Sequence, residues 1–161
     1  MILNIETGTD NPILRKKSTP VDKITKKTIK LIKDMYETMI AANGVGIAAP
    51  QVGINERIFL MTLDSKKVLP MINPEILEMS GAKELGEEGC LSLPNQWGKV
   101  ERSKEVLVRF MDTKGATITM KFKDFEAREI QHELDHINGI LFIDHLEEDQ
   151  ITVEERQGDM V

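Results

Sequence analysis

The sequence predicts a mixed α and β chain: one helix early, short strands through the middle, a second helix late. Three observations predict it. Ile29, Ile32, Tyr36, Met39 and Ile40 recur at helical spacing. Val106, Val108 and Phe110 alternate with other residues, as do Ile118, Met120 and Phe122, and Asp112-Thr113-Lys114-Gly115 between them reads as the turn of a β-hairpin. Residues 124–138 then read as the second helix, closed by Gly139 at the position where a left-handed glycine ends a helix.

In chain order, residues 1–24 read as irregular, punctuated by Asn11-Pro12 and Thr19-Pro20. The first helix spans residues 26–43, with Thr25 as its N-cap and Asn43-Gly44 as its stop. Residues 44–53 form a loop, and residues 57–63, rich in Ile, Phe and Leu, form a buried strand. Pro70 and Pro74 bracket short extended pieces. Asp124 is placed to cap the late helix.

The 161 residues suffice for one domain with a hydrophobic core, and no repeat, low-complexity tract or linker divides them, so 1–161 is expected to be a single domain. A net charge of −6 argues against non-specific nucleic-acid binding and no direct nucleic-acid readout is expected. The single cysteine, Cys90, cannot form an internal disulfide, which argues against a stapled secreted domain. The first residues lack the pattern of a signal peptide, and no apolar run approaches the ~20 residues of a membrane span. A monomer in a reducing cytoplasm, away from membranes, is expected.

The late helix carries His132-Glu133-Leu134-Asp135-His136. Residues four apart share a helix face, so the two imidazoles can grip one metal ion with Glu133 beside them as acid or base. The chain has only three histidines, and two of them fall in this pattern, which makes a chance pairing on a solvated face the weaker reading. A hydrolytic site needs a third protein ligand and an open position. One protease pattern would require a histidine where Phe142 stands, and His145 lies too late. Glu154 or Glu155 would make a zinc endopeptidase. Cys90, in Glu87-Glu88-Gly89-Cys90-Leu91-Ser92, offers a thiolate instead. A metal-dependent binding module is the non-enzymatic alternative. Gly44-x-Gly46-x-x-Ala49 imitates a dinucleotide fingerprint but follows a helix and leads to a strand, the reverse of what that motif needs.

Three segments, Gly44-Val45-Gly46-Ile47-Ala48-Ala49-Pro50-Gln51, Glu88-Gly89-Cys90-Leu91-Ser92 and Gln131-His132-Glu133-Leu134-Asp135-His136, stand in an order that closely resembles the three signature motifs of peptide deformylases. Asp10-Asn11-Pro12-Ile13-Leu14-Arg15 resembles that family's N-terminal segment. The resemblance implies an α+β fold with antiparallel β-sheets packed around a central, metal-binding helix. It implies removal of the N-formyl group from formylmethionyl peptides, releasing formate. Cys90, His132 and His136 would hold one divalent metal ion, Fe2+ in the usual native form, with Zn2+, Ni2+ or Co2+ able to replace it. Glu133 would shuttle the proton, and Gln51 with the Leu91 N–H would bind the formyl oxygen. Gly46 and Gly89 would lie along the substrate backbone, with Val45 and Phe125 walling a methionine pocket. Many members carry a longer C-terminal helix, in some cases used for ribosome docking. Here only residues 150–161 follow the last core-like residues, so transient ribosome association is implied without that helix. Trp97 stands where the family often has a basic or other polar residue, and it either packs beside the substrate cleft or covers a surface strand.

Overall fold

The computed structural model describes residues 1–156. In chain order these form α1 (Pro12–Arg15), α2 (Lys26–Ala41), β1 (Gly46–Ala48), a 3₁₀ turn (Ala49–Val52), β2 (Ile58–Thr62), β3 (Val68–Met79), β4 (Lys83–Cys90), β5 (Leu93–Ser103), β6 (Glu105–Met111), β7 (Thr117–Lys123), α3 (Asp124–Ile137) and β8 (Thr152–Val153). The strands make a five-stranded sheet, β1-β2-β3-β6-β7, and a three-stranded sheet, β4-β5-β8. Every pair of these strands is antiparallel. The architecture is therefore α+β.

β2 explains why the larger sheet sits between two helices. Its side chains alternate in direction, and both sets are buried. Ile58 and Leu60 join Ile32, Met35 and Met39 of α2. Phe59 and Met61 join Ala127, Ile130 and Ile137 of α3. A strand buried on both faces reads as a continuous apolar run, as residues 57–63 do. On its other side α3 meets β4 and β5, so the late helix lies between the two sheets.

Local chemistry sets the helix ends. Thr25 caps α2 by accepting from Thr28 N through its side chain, and its own N–H donates back to Thr28 Oγ1. Asn43 (φ 57°) and Gly139 (φ 75°) take the left-handed conformation just past α2 and α3. An added Cβ at Gly139 would run into the Arg15 carbonyl, so this glycine also lets the two segments meet.

Four local expectations are corrected. Asn11-Pro12 is not mere punctuation: Asn11 caps Ile13 N at 2.9 Å and Pro12 opens the single turn of α1. The loop expected over residues 44–53 contains β1 and the 3₁₀ turn. β3 is one long strand that contains both Pro70 and Pro74. It tolerates them because Pro70 pairs with β2 before the β6 ladder begins, and Pro74 lies in the register break between Ile72 and Glu75. Asp124 does not cap α3; Lys123 holds that position and Asp124 is the first helical residue, with φ 53°. Among the described residues no helix is long and apolar enough to cross a membrane.

Candidate active site

One helical turn separates His132 from His136 on α3, and their ring centroids stand 5.0 Å apart. The hairpin of β4 and β5 brings Cys90 to the same place, with Sγ 3.2 Å from His136 Nε2. Donor atoms of Cys90, His132 and His136 all lie within 4.8 Å of one another. Glu154, one of the two rival third ligands, instead follows β8 directly, with a half-exposed side chain paired to Arg156.

Glu88 orients His132. His132 Nδ1 stands 2.9 Å from Glu88 Oε1. Arg102 grips both oxygens of the same carboxylate at 2.9 Å, and Arg128 adds a bond to Oε2 at 2.8 Å. Two donors on each oxygen match the acceptor capacity of an ionised carboxylate. Burial pushes the Glu88 pKa up, but the bonds and charges of Arg102 and His132 outweigh it and hold the group well below the usual carboxylate range. An ionised acceptor at Nδ1 fixes the proton there and turns the Nε2 lone pair to the site.

The other donors are set by burial. Burial pushes the Cys90 thiol up to about 12, against the opposing effect of the Ser92 and Leu93 backbone bonds. Burial, with the nearby positive charges of His132 and Arg102, holds His136 well below its ordinary value, so its imidazole stays neutral. Two imidazoles and one thiol, which a cation would convert to thiolate, form a donor set suited to a divalent transition metal. Three protein donors leave a position for a further ligand.

Glu133 packs under β1. A Cβ on Gly46 would come within 3.2 Å of Glu133 Cδ, so the glycine lets strand and carboxyl approach. Burial, then the charges of Glu129 and Glu88, raise the Glu133 pKa well above the usual range. Its Oε2 is buried and has no protein partner among the described residues. Gln51 hangs over the cluster from the 3₁₀ turn. Its Oε1 accepts from Ala48 N at 2.9 Å, which directs the amide nitrogen inward, 3.1 Å from Ser92 Oγ and 3.6 Å from Cys90 Sγ.

These groups open into a cleft of about 260 Å³. Val45, Gly46, Gln51, Gly89 and Leu91 line it, so the structure gathers the residues singled out in the three motifs at one place. Phe125, Arg128, Glu129, His132 and Glu133 present one stripe of α3 to it.

The family model described as polypeptide deformylase matches residues 2–151. The chain belongs to the peptide deformylase family. A peptide deformylase from Pseudothermotoga lettingae is 52% identical over 134 residues, covering 83% of this chain and 77% of its own. One from Halothermothrix orenii is 50% identical, covering 83% and 87%. Among solved structures, the peptide deformylase from Thermotoga maritima superposes with a TM-score of 0.88 at 42% identity, over 91% of this chain and 99% of its own. The Met-Ala-Ser-bound class I type b peptide deformylase from Acinetobacter baumannii gives 0.86 at 37% identity, over 91% and 99%. Peptide deformylases are metal-dependent hydrolases that remove the N-formyl group from nascent peptides.

Motif reading assigned no role to several residues that shape this site. Glu88 was visible beside Gly89-Cys90, but its function depends on Arg102 and Arg128, which are 14 and 40 residues away in sequence. Glu129 and Arg156 belong to no motif. Trp97 lines the cleft, which decides between its two expected positions.

Proposed function

We propose that this protein deformylates N-formylmethionyl peptides in the cleft between β1, β4 and α3, as one catalytic domain over residues 1–161. The observation that carries the reading is the convergence of Cys90, His132 and His136 with Glu133 beside them and Gln51 above. In this reading Cys90, His132 and His136 hold one divalent ion, Fe2+ by preference, with Zn2+, Ni2+ or Co2+ as substitutes. When bound, such an ion lowers the pKa of water and polarises a carbonyl.

The chain's own groups do the rest. Gln51 Nε2 and the Leu91 N–H donate to the formyl oxygen as it gains negative charge, a contribution typically worth ~10²–10³ in rate per donor. Glu133 takes a proton from the attacking water and delivers it to the leaving amine. Water and the formamide become formate and a free methionine amine. Gly46 and Gly89 border the path of the substrate backbone, and Val45 with Phe125 forms the wall for methionine. A soluble monomer in the cytoplasm, meeting nascent chains in transient contact with the ribosome, completes the proposal.

The test is formate release from formyl-Met-Ala-Ser by anaerobically purified, iron-loaded protein. The Glu133→Ala variant should keep its metal and lose turnover by ~10²-fold or more. Absence of formate from fully metallated wild type overturns the activity. Stoichiometric metal retained by Cys90→Ala overturns the ligand set.

A further inference from the structure

One rim of the cleft is built by the C-terminal strand, outside all three motifs. β8 pairs with β5 through Thr152↔Trp97 and Val153↔Gln96. Glu154 N donates to Asn95 O at 2.8 Å, and Trp97 Nε1 donates to Glu154 O at 2.9 Å. These bonds fix the backbone just ahead of Arg156. The Arg156 guanidinium lies 4.3 Å from the centroid of the Trp97 ring, is ion-paired to Glu87, and meets Glu154 at 3.4 Å. Arg156, Trp97 and Glu87 all line the cleft.

Position along the cleft indicates what this rim meets. Glu87 precedes Cys90 on β4 by a stretch that spans on the order of 10 Å at ~3.3 Å per residue. An extended peptide with its formyl end at the donor cluster covers that distance by about its third residue. A guanidinium has more N–H donors than the contacts with Glu87 and Glu154 use. Those two carboxylates are 45% and 55% exposed, so exchanging one for a substrate carboxylate costs little. Arg128 also lines the cleft, but its donors are engaged by Glu88, Val100 and Glu84.

We propose that Arg156, seated on Trp97, is a specificity-determining residue that receives a carboxylate at the third residue of the substrate. That carboxylate comes from an acidic side chain or from the free end of a tripeptide. The proposal rests on the deformylase reading.

The test compares kcat/KM of iron-loaded wild type, Arg156→Ala and Arg156→Lys on two matched pairs. One pair is the amides of formyl-Met-Ala-Asp and formyl-Met-Ala-Asn, for the side chain. The other is formyl-Met-Ala-Ser as free acid and as amide, for the chain end. A ratio within a pair does not depend on how much of a variant is folded. Wild type should favour the acid member by about fivefold, the size of one exposed ion pair, through KM and less so at high salt. Arg156→Ala should bring the ratio to about one, and Arg156→Lys should keep part of it, because lysine retains the charge without the planar fork. A wild-type ratio near one in both pairs overturns the proposal, and so does a preference that survives in Arg156→Ala. Formate from wild type with no acid preference rejects this inference alone, whereas no formate from any peptide rejects the deformylase reading beneath it.

Discussion

On one side of α3, Ala127, Ile130 and Ile137 press into Phe59, Met61, Val108 and Phe110 of the five-stranded sheet. On the other, Arg128, Gln131, His132 and Asp135 meet the β4–β5 hairpin through hydrogen bonds to Glu88, Ser103 and Arg102. Apolar contact is non-directional and scales with area, so the first side can press the helix to the sheet without fixing a ring. Hydrogen bonds weaken steeply with angle, so the second side can set the orientation of an imidazole. Gln131 shows the difference well: its amide bonds both Ser103 N and Ser103 O and fixes the register of helix against strand. Buried ion pairs are poor stabilisers, because desolvation cancels most of their attraction. The charged side of α3 is better understood as a device for placement.

The largest test of that division pairs Glu88→Ala with Ile130→Ala. Glu88→Ala strands Arg102 and Arg128 without their shared carboxylate and should cost about 3–5 kcal/mol. Ile130→Ala opens a cavity in the apolar cluster and should cost about 2–5 kcal/mol. Urea denaturation should therefore find the two similarly damaged. Titration of the metal-loaded proteins with a chelator should separate them. Only Glu88→Ala should lose metal affinity, by roughly 10–100-fold, because His132 loses its orienting partner. Equal metal retention in both variants would break the comparison.

The same division governs what could be read from the sequence. α2, β2 and the β6–β7 hairpin announce themselves through apolar spacing, and α3, whose burial is largely polar, through Gly139 at its C-terminal end. β4 does not: Lys83-Glu84-Leu85-Gly86-Glu87-Glu88-Gly89-Cys90 has neither alternation nor β-branched residues, and it becomes a strand by pairing with β5. β3 was obscured by its prolines, which are harmless only because of where the neighbouring ladders start and stop. The site was legible where chemistry is local, as in the two histidines one turn apart. It was not legible where a charge acts through a distant partner, as Glu88 does with Arg102 and Arg128, or where a strand far along the chain delivers Arg156 to the cleft.

Glu129 lies at the seam between the two sides and sharpens the contrast. Both its oxygens are buried with no protein partner among the described residues. Burial, then the charges of Glu126 and Asp64, push its pKa up to about 8. An acid whose folded pKa is raised destabilises the fold as pH climbs. Below its ordinary value of 4.5 both states are protonated and nothing is lost; from there to about 8 the unfolded chain releases a proton that the fold retains; above that the loss is constant. At about 1.4 kcal/mol per pH unit, the cost at pH 7 is roughly 3 kcal/mol. Glu129→Gln should therefore match wild type near pH 4.5 and gain stability over it as pH rises toward 8. Parallel urea curves for the two proteins at pH 5 and pH 7.5 would show this, and a gap independent of pH would mean that Glu129 is ionised in the fold.

The smallest effect lies farthest from the cleft. Thr25 Oγ1 accepts from Thr28 N at 3.3 Å, and Thr28 Oγ1 accepts from Thr25 N at 3.1 Å, closing the first turn of α2. α2 packs through Ile32, Met35 and Met39 on the face of the five-stranded sheet opposite α3. Thr25→Ala removes the cap and should cost about 1 kcal/mol. If apolar packing carries stability but not orientation, this loss should appear in the urea midpoint and nowhere else. Chelator titration and turnover per folded molecule should match wild type, since among the described residues the side-chain partners of His132, His136 and Cys90 lie outside α2. A Thr25→Ala protein that releases its metal more readily would show that strain does cross the sheet, and the two sides of α3 would then have to be treated as one coupled unit.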